Sequence, residues 1–408
     1  MTRSPMKRDL KYDVVVVGAG VIGLACAWLV ARTGRTVAIV DPDPGKGATW
    51  AAAGMLAPVT EVHFGEEQLL QLGLAGARRW PKFVSELEAD AGLEVGYEAE
   101  GTLLVGSDSD DREWLARLYQ FQKELGLSSE WITARAARSL APALAPGIRA
   151  AMWVRDDHQV DNRLLVTALL AANESRGVAL HRARVSGVEL GNGSVSGVRI
   201  EEDLLGKEDV FLGGENVVLA AGCLTGQIAG LPENVEIPTR PVKGQILRLR
   251  PRRSSGSVEV RRLLGHTVRG YVQGTPVYLV QRADGSVVVG STVEEVGFDT
   301  TVTAGAVYEM LRDAHRLVPG VTELVFDEAI ARLRPGSPDN GPIVGPVTDA
   351  EGRTVGGLVV ATGHFRHGIL LAPITAEAVL AALDGTDEIP QFKPFHPARF
   401  GSPSGLAC

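Results

Sequence analysis

The stretch DVVVVGAGVIGLACAWLVAR (residues 13–32), followed by TVAIVDP (residues 36–42), decides how this chain is read. Asp13 to Val17 is a short apolar β-branched run, the pattern of a buried parallel strand. It enters Gly18-Ala19-Gly20-Val21-Ile22-Gly23, and Leu24 to Arg32 then reads as a helix stopped at Gly34. Thr36 to Val40 is a second strand, with Asp41 and Pro42 at its end. Strand, GxGxxG, helix, strand and acid in this order form a dinucleotide fingerprint. Gly18 allows the tight turn, Gly20 lets backbone approach a pyrophosphate, and Gly23 lets helix and strand pack closely. The free N–H groups of the helix start, at Val21 and Ile22, offer a phosphate site, and Asp41 can accept ribose hydroxyls.

The bulk numbers agree with a soluble globular protein. The chain has 408 residues, 45% hydrophobic and 22% charged, with a formal net charge of -8. An acidic balance argues against nucleic acid as a partner. The three cysteines, Cys26, Cys223 and Cys408, are scattered and form no CxxC. They suggest neither a disulfide framework nor a metal site, and a reducing cytoplasm fits. The apolar run from Val14 to Val30 after Lys7, Arg8 and Lys11 has a competing reading as an export signal. The three spaced glycines and the second strand argue against it. No other run reaches the ~18 apolar residues of a membrane span.

Further along, residues 66–91 and 111–125 read as helices, Trp153 to Asp161 as turn, and Arg163 to Arg176 as a helix before Gly177. Glu215 to Ala221 is a buried strand ending at Gly222. Val277 to Gln281 and Ser286 to Ser291 form a hairpin about Asp284-Gly285. Residues 304–317 are helical, Phe326 to Leu333 is a strand, Leu358 to Thr362 a buried strand, and Ile374 to Leu383 the last helix. The expected fold class is α/β. A discontinuous Rossmann-like dinucleotide-binding domain (1–88, 151–232, 331–390) is paired with a smaller α+β substrate domain (89–150, 233–330) carrying a mixed or antiparallel sheet. Residues 391–408 are expected to be a loose tail.

The fingerprint alone does not separate NAD from FAD. The next segment, GKGATWAAAGMLAP (residues 45–58), is small and nearly uncharged. Ala48, Ala53, Gly54 and Met55 can lie flat against a large ligand, and Thr49 can reach phosphate or ribitol oxygens. An alanine-rich helix start is the plain alternative. At this segment the chain resembles the D-amino-acid oxidase superfamily of FAD proteins, nearest its glycine oxidase (ThiO) branch. PVKGQ (241–245), LRPG (333–336) with Pro338-Asp339, and GHFRHGILLAP (363–373) are similar to that family's motifs, and the likeness spans most of residues 12–385. The resemblance implies non-covalent FAD, touched also by Val185, Ala221, Gly222, His364, Phe365, Arg366, His367, Gly368, Ile369 and Leu370. It implies oxidation of glycine, sarcosine or small D-amino acids to the imine, with O2 reduced to H2O2. It further implies a role in thiamine thiazole synthesis and a possible homo-oligomer.

Hydride removal from an amino acid needs its carboxylate gripped, and arginine's planar fork does this best. Arg334 is the first choice, with Pro335 and Gly336 expected to make a turn that points it inward. A randomly chosen arginine is more often on the surface; the LRPG context reverses that. Tyr278 alternates with Val277 and Leu279, so it faces away from them. It can donate to the same carboxylate or be an ordinary half-buried tyrosine. Arg366 completes the catalytic set by shaping the pocket or touching substrate. A helix expected near Pro373 would aim its N-terminus at the flavin. His364 and His367 are the candidate bases, with packing the alternative for both. Arg332 departs from the family pattern, on the same face as Arg334. No cysteine stands at the LRPG position where some relatives link flavin. The competing readings are a D-amino-acid dehydrogenase passing electrons to a quinone, a sarcosine or other N-methyl amine oxidase, and a non-catalytic flavoprotein.

Overall fold

The computed structural model describes residues 10–202, 207–233, 235–252, 262–349 and 351–400. Lys7, Arg8, Cys408 and the 401–408 part of the expected tail lie outside them. Two eight-stranded sheets organise the chain. The first is built on β1 (Lys11–Val17), which pairs in parallel with β2 (Val37–Val40) on one side and β11 (Lys207–Leu219) on the other. Parallel pairing continues to β8 (Ala179–His181) beyond β2 and to β18 (Thr354–Thr362) beyond β11. β17 (Ile343–Thr348) runs antiparallel on β18, while β9 (Val185–Gly191) and β10 (Ser194–Glu202) extend the first half of β11 antiparallel.

Alternation in β1 sorts its valines between two cores. Val14 and Val16 face a helical layer, and Val15 and Val17 face the β9–β10 side. That helical layer centres on α1 (Val21–Ala31), which packs between α7 (Asn162–Ser175) and α9 (Gly368–Asp384). Nearly every residue of α1 is buried, which explains its lack of a polar face. α3 (Glu67–Ala77) packs on α9 and α4 (Trp80–Ala91) on α7. These two were expected as one helix. Pro81, lacking an N–H, can stand only in the first turn of a new helix, so the chain breaks at Arg78-Arg79. Phe392 and Phe395 are buried in the same core, so residues 391–400 are packed turns and not a loose tail. Two aromatic side chains hidden from water outweigh the prolines that suggested looseness.

The second sheet has the order β16 (Val325–Gly336), β12 (Arg240–Arg250), β15 (Val287–Gly290), β14 (Thr275–Gln281), β13 (Thr267–Val272), β4 (Thr102–Gly106), β6 (Ala150–Val154), β5 (Glu130–Ile132). Only the β13–β4 pair is parallel. α8 (Ala304–Leu317) covers one face through Met310, Ala314 and Leu317 against Leu247, Val277, Leu279 and Val289. α5 (Ser109–Glu124) and α6 (Ala134–Leu140) pack on β6. The other face, with Ile246, Val280, Val288 and Ile330, meets Ala51 and Ala53. These alanines lie at the end of α2 (Ala48–Ala51) and just beyond it, a single turn that leads to β3 (Met55–Leu56), itself paired with β7 (His158–Gln159). The expected boundaries move accordingly: β6 and all of β16 belong to the second sheet, and β7 replaces part of the turn expected over 153–161.

Gly23 tests the close packing of α1 on β1. An added Cβ there would lie 1.9 Å from the Gly18 carbonyl oxygen. Helix propensity alone makes Gly→Ala favourable by ~1 kcal/mol; the overlap reverses the sign. Gly23→Ala is expected to destabilise the protein by ~2 kcal/mol or more in a urea titration.

Candidate active site

The fingerprint loop, the strap 45–55, the end of β11, the 363–369 loop and the inner face of the second sheet enclose one cavity of ≈ 920 Å³. It opens at the carboxyl ends of β1 and β11, where a parallel sheet binds ligands. Gly18 has φ +104°, and a Cβ there would strike the Ala220 carbonyl at 2.4 Å. Gly20 is different. A Cβ there meets nothing nearer than Thr49 Oγ1 at 3.6 Å, so its face stays open to the cavity. Asp41 Oδ2 accepts from Ala19 N–H at 2.7 Å, and Oδ1 from Asp43 N–H at 2.8 Å. The carboxylate therefore also braces the glycine loop. Thr49 Oγ1 accepts the Val21 N–H at 3.0 Å, leaving its own proton for the cavity.

The strap is pinned from both sides. Asn162 Nδ2 donates to the Thr49 carbonyl at 2.7 Å and to the Trp50 carbonyl at 3.0 Å. Arg282, fully enclosed, donates to the Ala53 carbonyl at 2.6 Å and the Val160 carbonyl at 3.0 Å. Gly54, at φ +72°, lets the strap pass β7, since a Cβ would lie 1.9 Å from the Val160 carbonyl.

Of the residues singled out from sequence, Gly18, Gly20, Val21, Ile22, Asp41, Pro42, Ala48, Thr49, Ala53, Gly54 and Met55 line the cavity. So do Val185, Ala221, Gly222, Tyr278, Arg334, His364, Phe365, Arg366, Gly368 and Ile369. Three do not. Gly23 packs on Gly18, Leu370 is core and accepts Trp80 Nε1–H through its carbonyl, and His367 lies behind the wall. Cys223 does line the cavity, half-buried, although no cysteine stands in LRPG. Burial raises its pKa, keeping it a thiol.

Arg334 is held in a way the LRPG reading did not anticipate. Pro335 and Gly336 do not turn; β16 runs on, pairing Pro335 with Pro241 and Gly336 with Arg240. The inward aim comes from strand alternation and from Gly244 on β12, over which the guanidinium lies. A Cβ on Gly244 would come within 2.3–2.4 Å of its nitrogens and carbon. Nη1 donates to the Thr292 carbonyl at 3.1 Å and Nη2 to Ser291 Oγ at 2.9 Å. Among the described residues no carboxylate pairs with it. Burial lowers its pKa, with the neighbouring Arg366 acting the same way and Tyr278 and Glu61 opposing. Tyr278 lies over Gly290 in the same manner, a Cβ there meeting the phenol oxygen at 2.2 Å. Burial raises the phenol's pKa, so it stays an O–H donor. Arg332 shares the face but turns to the strap, Nε donating to the Lys46 carbonyl at 2.8 Å; no acid pairs with it among the described residues.

Arg366 is ion-paired with Glu66 at 2.8 Å. Phe365, at φ +47°, donates its N–H to the Pro335 carbonyl at 2.8 Å, joining this loop to the Arg334 strand. α9 starts at Gly368, five residues before the position expected, with Pro373 inside it. Its uncapped first turn thus lies on the cavity wall at Gly368 and Ile369. His364 Nε2 meets Thr375 Oγ1 at 3.0 Å, and His367 Nε2 accepts from Arg366 Nε at 3.2 Å. Burial, the largest cause for each, pushes His364 to about 3 and His367 to about 4. Both are neutral and engaged.

Sequence reasoning missed Glu61, Arg269, Tyr271 and Ser291, all on the cavity wall. Arg269 pairs across strands with Tyr278, so it must share that side chain's face. Hairpin register would have found it. Glu61, a lone acid after an apolar strap, gave a weaker signal. Its Oε1 lies 2.7 Å from Arg269 Nη1. Burial opposes both charges, but the pairing wins: Arg269 is held above its ordinary pKa and Glu61 below.

The residues present fit FAD. The Gly20 face is open, two helix N-termini reach the cavity, and the strap offers small side chains along its length. Comparison with known proteins agrees. Residues 13–382 match the DAO family model, described as FAD dependent oxidoreductase. The chain is 32% identical over 390 residues to the bifunctional protein ThiO/ThiG of Trichormus variabilis, covering 95% of this chain and 55% of that protein. It thus spans about half the length of the first curated relatives it matches. Hydrogen cyanide synthase subunit HcnC of Pseudomonas aeruginosa is 29% identical over 425 residues, covering 95% of this chain and 96% of that one. The crystal structure of glycine oxidase from Geobacillus kaustophilus superposes with a TM-score of 0.83 at 29% identity, over 96% of this chain and 99% of that one. With its fingerprint, strap and C-terminal flavin loop converging on one cavity, this chain belongs to the DAO family of FAD-dependent oxidoreductases.

Proposed function

We propose that the chain oxidises a small amino acid, glycine or sarcosine foremost, to its imine, with non-covalent FAD and with O2 as the final acceptor. The observation that carries this is Arg334, a buried guanidinium on the cavity wall with only neutral acceptors around it. Such a group is the counter-charge for one carboxylate, and Tyr278 O–H stands beside it as a second donor. FAD, when bound, supplies the hydride acceptor. Arg334 and Tyr278 orient the acid so that its Cα–H faces that acceptor. The first turn of α9 offers N–H groups and a positive dipole end to negative charge developing in the cavity. His364 and His367, with pKa pushed to about 3 and about 4 and tied to neighbours, are poor proton acceptors, so the amine enters neutral, its proton left in solvent. The likeness to ThiO and glycine oxidase supports this substrate class, and a place in thiamine thiazole synthesis rests on that likeness alone.

The test is an anaerobic absorbance spectrum of the FAD-loaded protein. Glycine or sarcosine is expected to bleach the flavin bands, and air to restore them with formation of peroxide. Flavin that bleaches but is not restored by air would move the reading to a dehydrogenase; bands unmoved by any small amino acid would end it. Arg334→Leu is expected to keep FAD and raise KM by about 10²-fold or more, the scale of a lost buried charge pair.

Gly244→Ala should mimic part of that loss without touching any charge. Its methyl displaces the Arg334 guanidinium, and a misplacement near 1 Å costs about 10²-fold. The expected result is kcat/KM down by roughly 10- to 100-fold, with the flavin spectrum retained.

The histidines give a pH test. Both stay neutral above about pH 4. His367→Gln is therefore expected to leave the shape of the kcat/KM profile between about pH 5 and 9 unchanged. Loss of an acidic limb in the variant would restore His367 as a base.

A further inference from the structure

Three arginines converge where the cavity wall is made by the second sheet and the 363–369 loop: Arg334, Arg269 and Arg366. Two already have carboxylate partners. Glu66 Oε2 is 2.8 Å from Arg366 Nη2, and Glu61 Oε1 is 2.7 Å from Arg269 Nη1. The nearby His63 and His367 are held toward their neutral forms, chiefly by burial. Of the three, Arg334 alone has no carboxylate partner among the described residues. Arg332, the other cation on this sheet face, is turned away to the Lys46 carbonyl.

The Arg269–Glu61 contact is a close buried ion pair, with Nη1 of Arg269 2.7 Å from Oε1 of Glu61. Arg269 is thus committed to Glu61 and keeps no net charge with which to attract an anion. A second carboxylate entering here would share the wall with Glu61. Like charges brought together out of water are strongly disfavoured.

We propose that Glu61 restricts this site to substrates bearing a single carboxylate, by neutralising Arg269 and so denying a second carboxylate its counter-charge. This rests on the proposed amino-acid oxidation and names its substrate class. N-alkyl glycines and small neutral amino acids fit; amino acids with an acidic N- or Cα-substituent do not. Glu61 acts here as a specificity residue, through Arg269.

The test uses the FAD-loaded protein and two acids that carry no amine and cannot be oxidised: methoxyacetate, with one carboxylate, and oxydiacetate, with two. Binding is read from perturbation of the flavin spectrum and from the shift in Tm. In the wild type, methoxyacetate is expected to bind at least about 100-fold more tightly. Glu61→Gln should gain roughly 10-fold or more for oxydiacetate relative to methoxyacetate, and Arg269→Gln in that background should erase the gain. Equal binding of both acids by the wild type, or a parallel loss of both in Glu61→Gln, overturns the proposal while leaving amino-acid oxidation standing. Binding of neither acid overturns the carboxylate clamp itself, and this proposal with it. Should Glu61→Gln fail to retain FAD, the wild-type ratio alone still decides.

Discussion

A guanidinium taken out of water without a carboxylate beside it is costly, and the second sheet is arranged around tolerating one. Arg334 lies across Gly244 because no other residue type leaves room there. Its two hydrogen bonds go to a carbonyl and a hydroxyl, acceptors that hold the head in place without cancelling its charge. The segment carrying those acceptors, Ser291 and Thr292, is itself stapled to β12. Lys243 exchanges backbone hydrogen bonds with Glu294, and its buried ammonium reaches Asp299 at 2.7 Å. Gln245 closes the other end, its amide accepting from Thr303 N–H and donating to Glu294. The last three residues of PVKGQ thus divide the work between them. The glycine gives space, and the lysine and glutamine fix the loop that holds the arginine.

The same logic governs the strap. Residues 48–55 cross between the two sheets, where irregular backbone would strand carbonyl groups. Asn162 and Arg282 satisfy those carbonyls from the outer side, so the inner side stays small, flat and free. Arg248 adds to this support through Asn162 Oδ1, and burial pulls its pKa down to about 10, consistent with a cation retained for its hydrogen bonds. The fingerprint loop approaches from the opposite side, braced by Asp41. One wall is set by side-chain amides and guanidinium groups, the other by glycine packing.

These two walls were unequally legible. The fingerprint strands, α1, α8 and the 275–290 hairpin follow local rules: β-branched runs, glycine punctuation and the Asp284-Gly285 turn. Their placement needed no tertiary information. The inward aim of Arg334 follows from the sequence for the wrong cause, because a Pro-Gly pair suggests a turn whenever the partner strand is unknown. Here Pro335 faces Pro241 and neither needs a ladder N–H, so the strand continues. The start of α9 is misplaced for a similar reason, since Pro373 looks like a first-turn residue until Gly368 and Ile369 are seen to need the cavity. The pairing of Glu61 with Arg269 was illegible because the two stand far apart in the chain and meet only where the turn after β3 reaches β13. Only the fold brings them together.

That long-range pair bears on how the chemistry is divided. Every titratable group discussed at the substrate end is either committed to an opposite charge or driven neutral by burial: Glu61 to Arg269, Glu66 to Arg366, and His364 and His367 to uncharged forms. A base poised near neutral pH is missing among the described residues of that wall, and the same arrangement leaves Arg334 without a carboxylate partner. A site of this kind works by binding and orienting an anion in a fixed field, with proton removal completed before the substrate enters. Under the proposed amino-acid oxidation, this pattern suits hydride abstraction from a neutral amine better than a route that first strips the Cα proton, because the latter needs a proton acceptor near neutral pH.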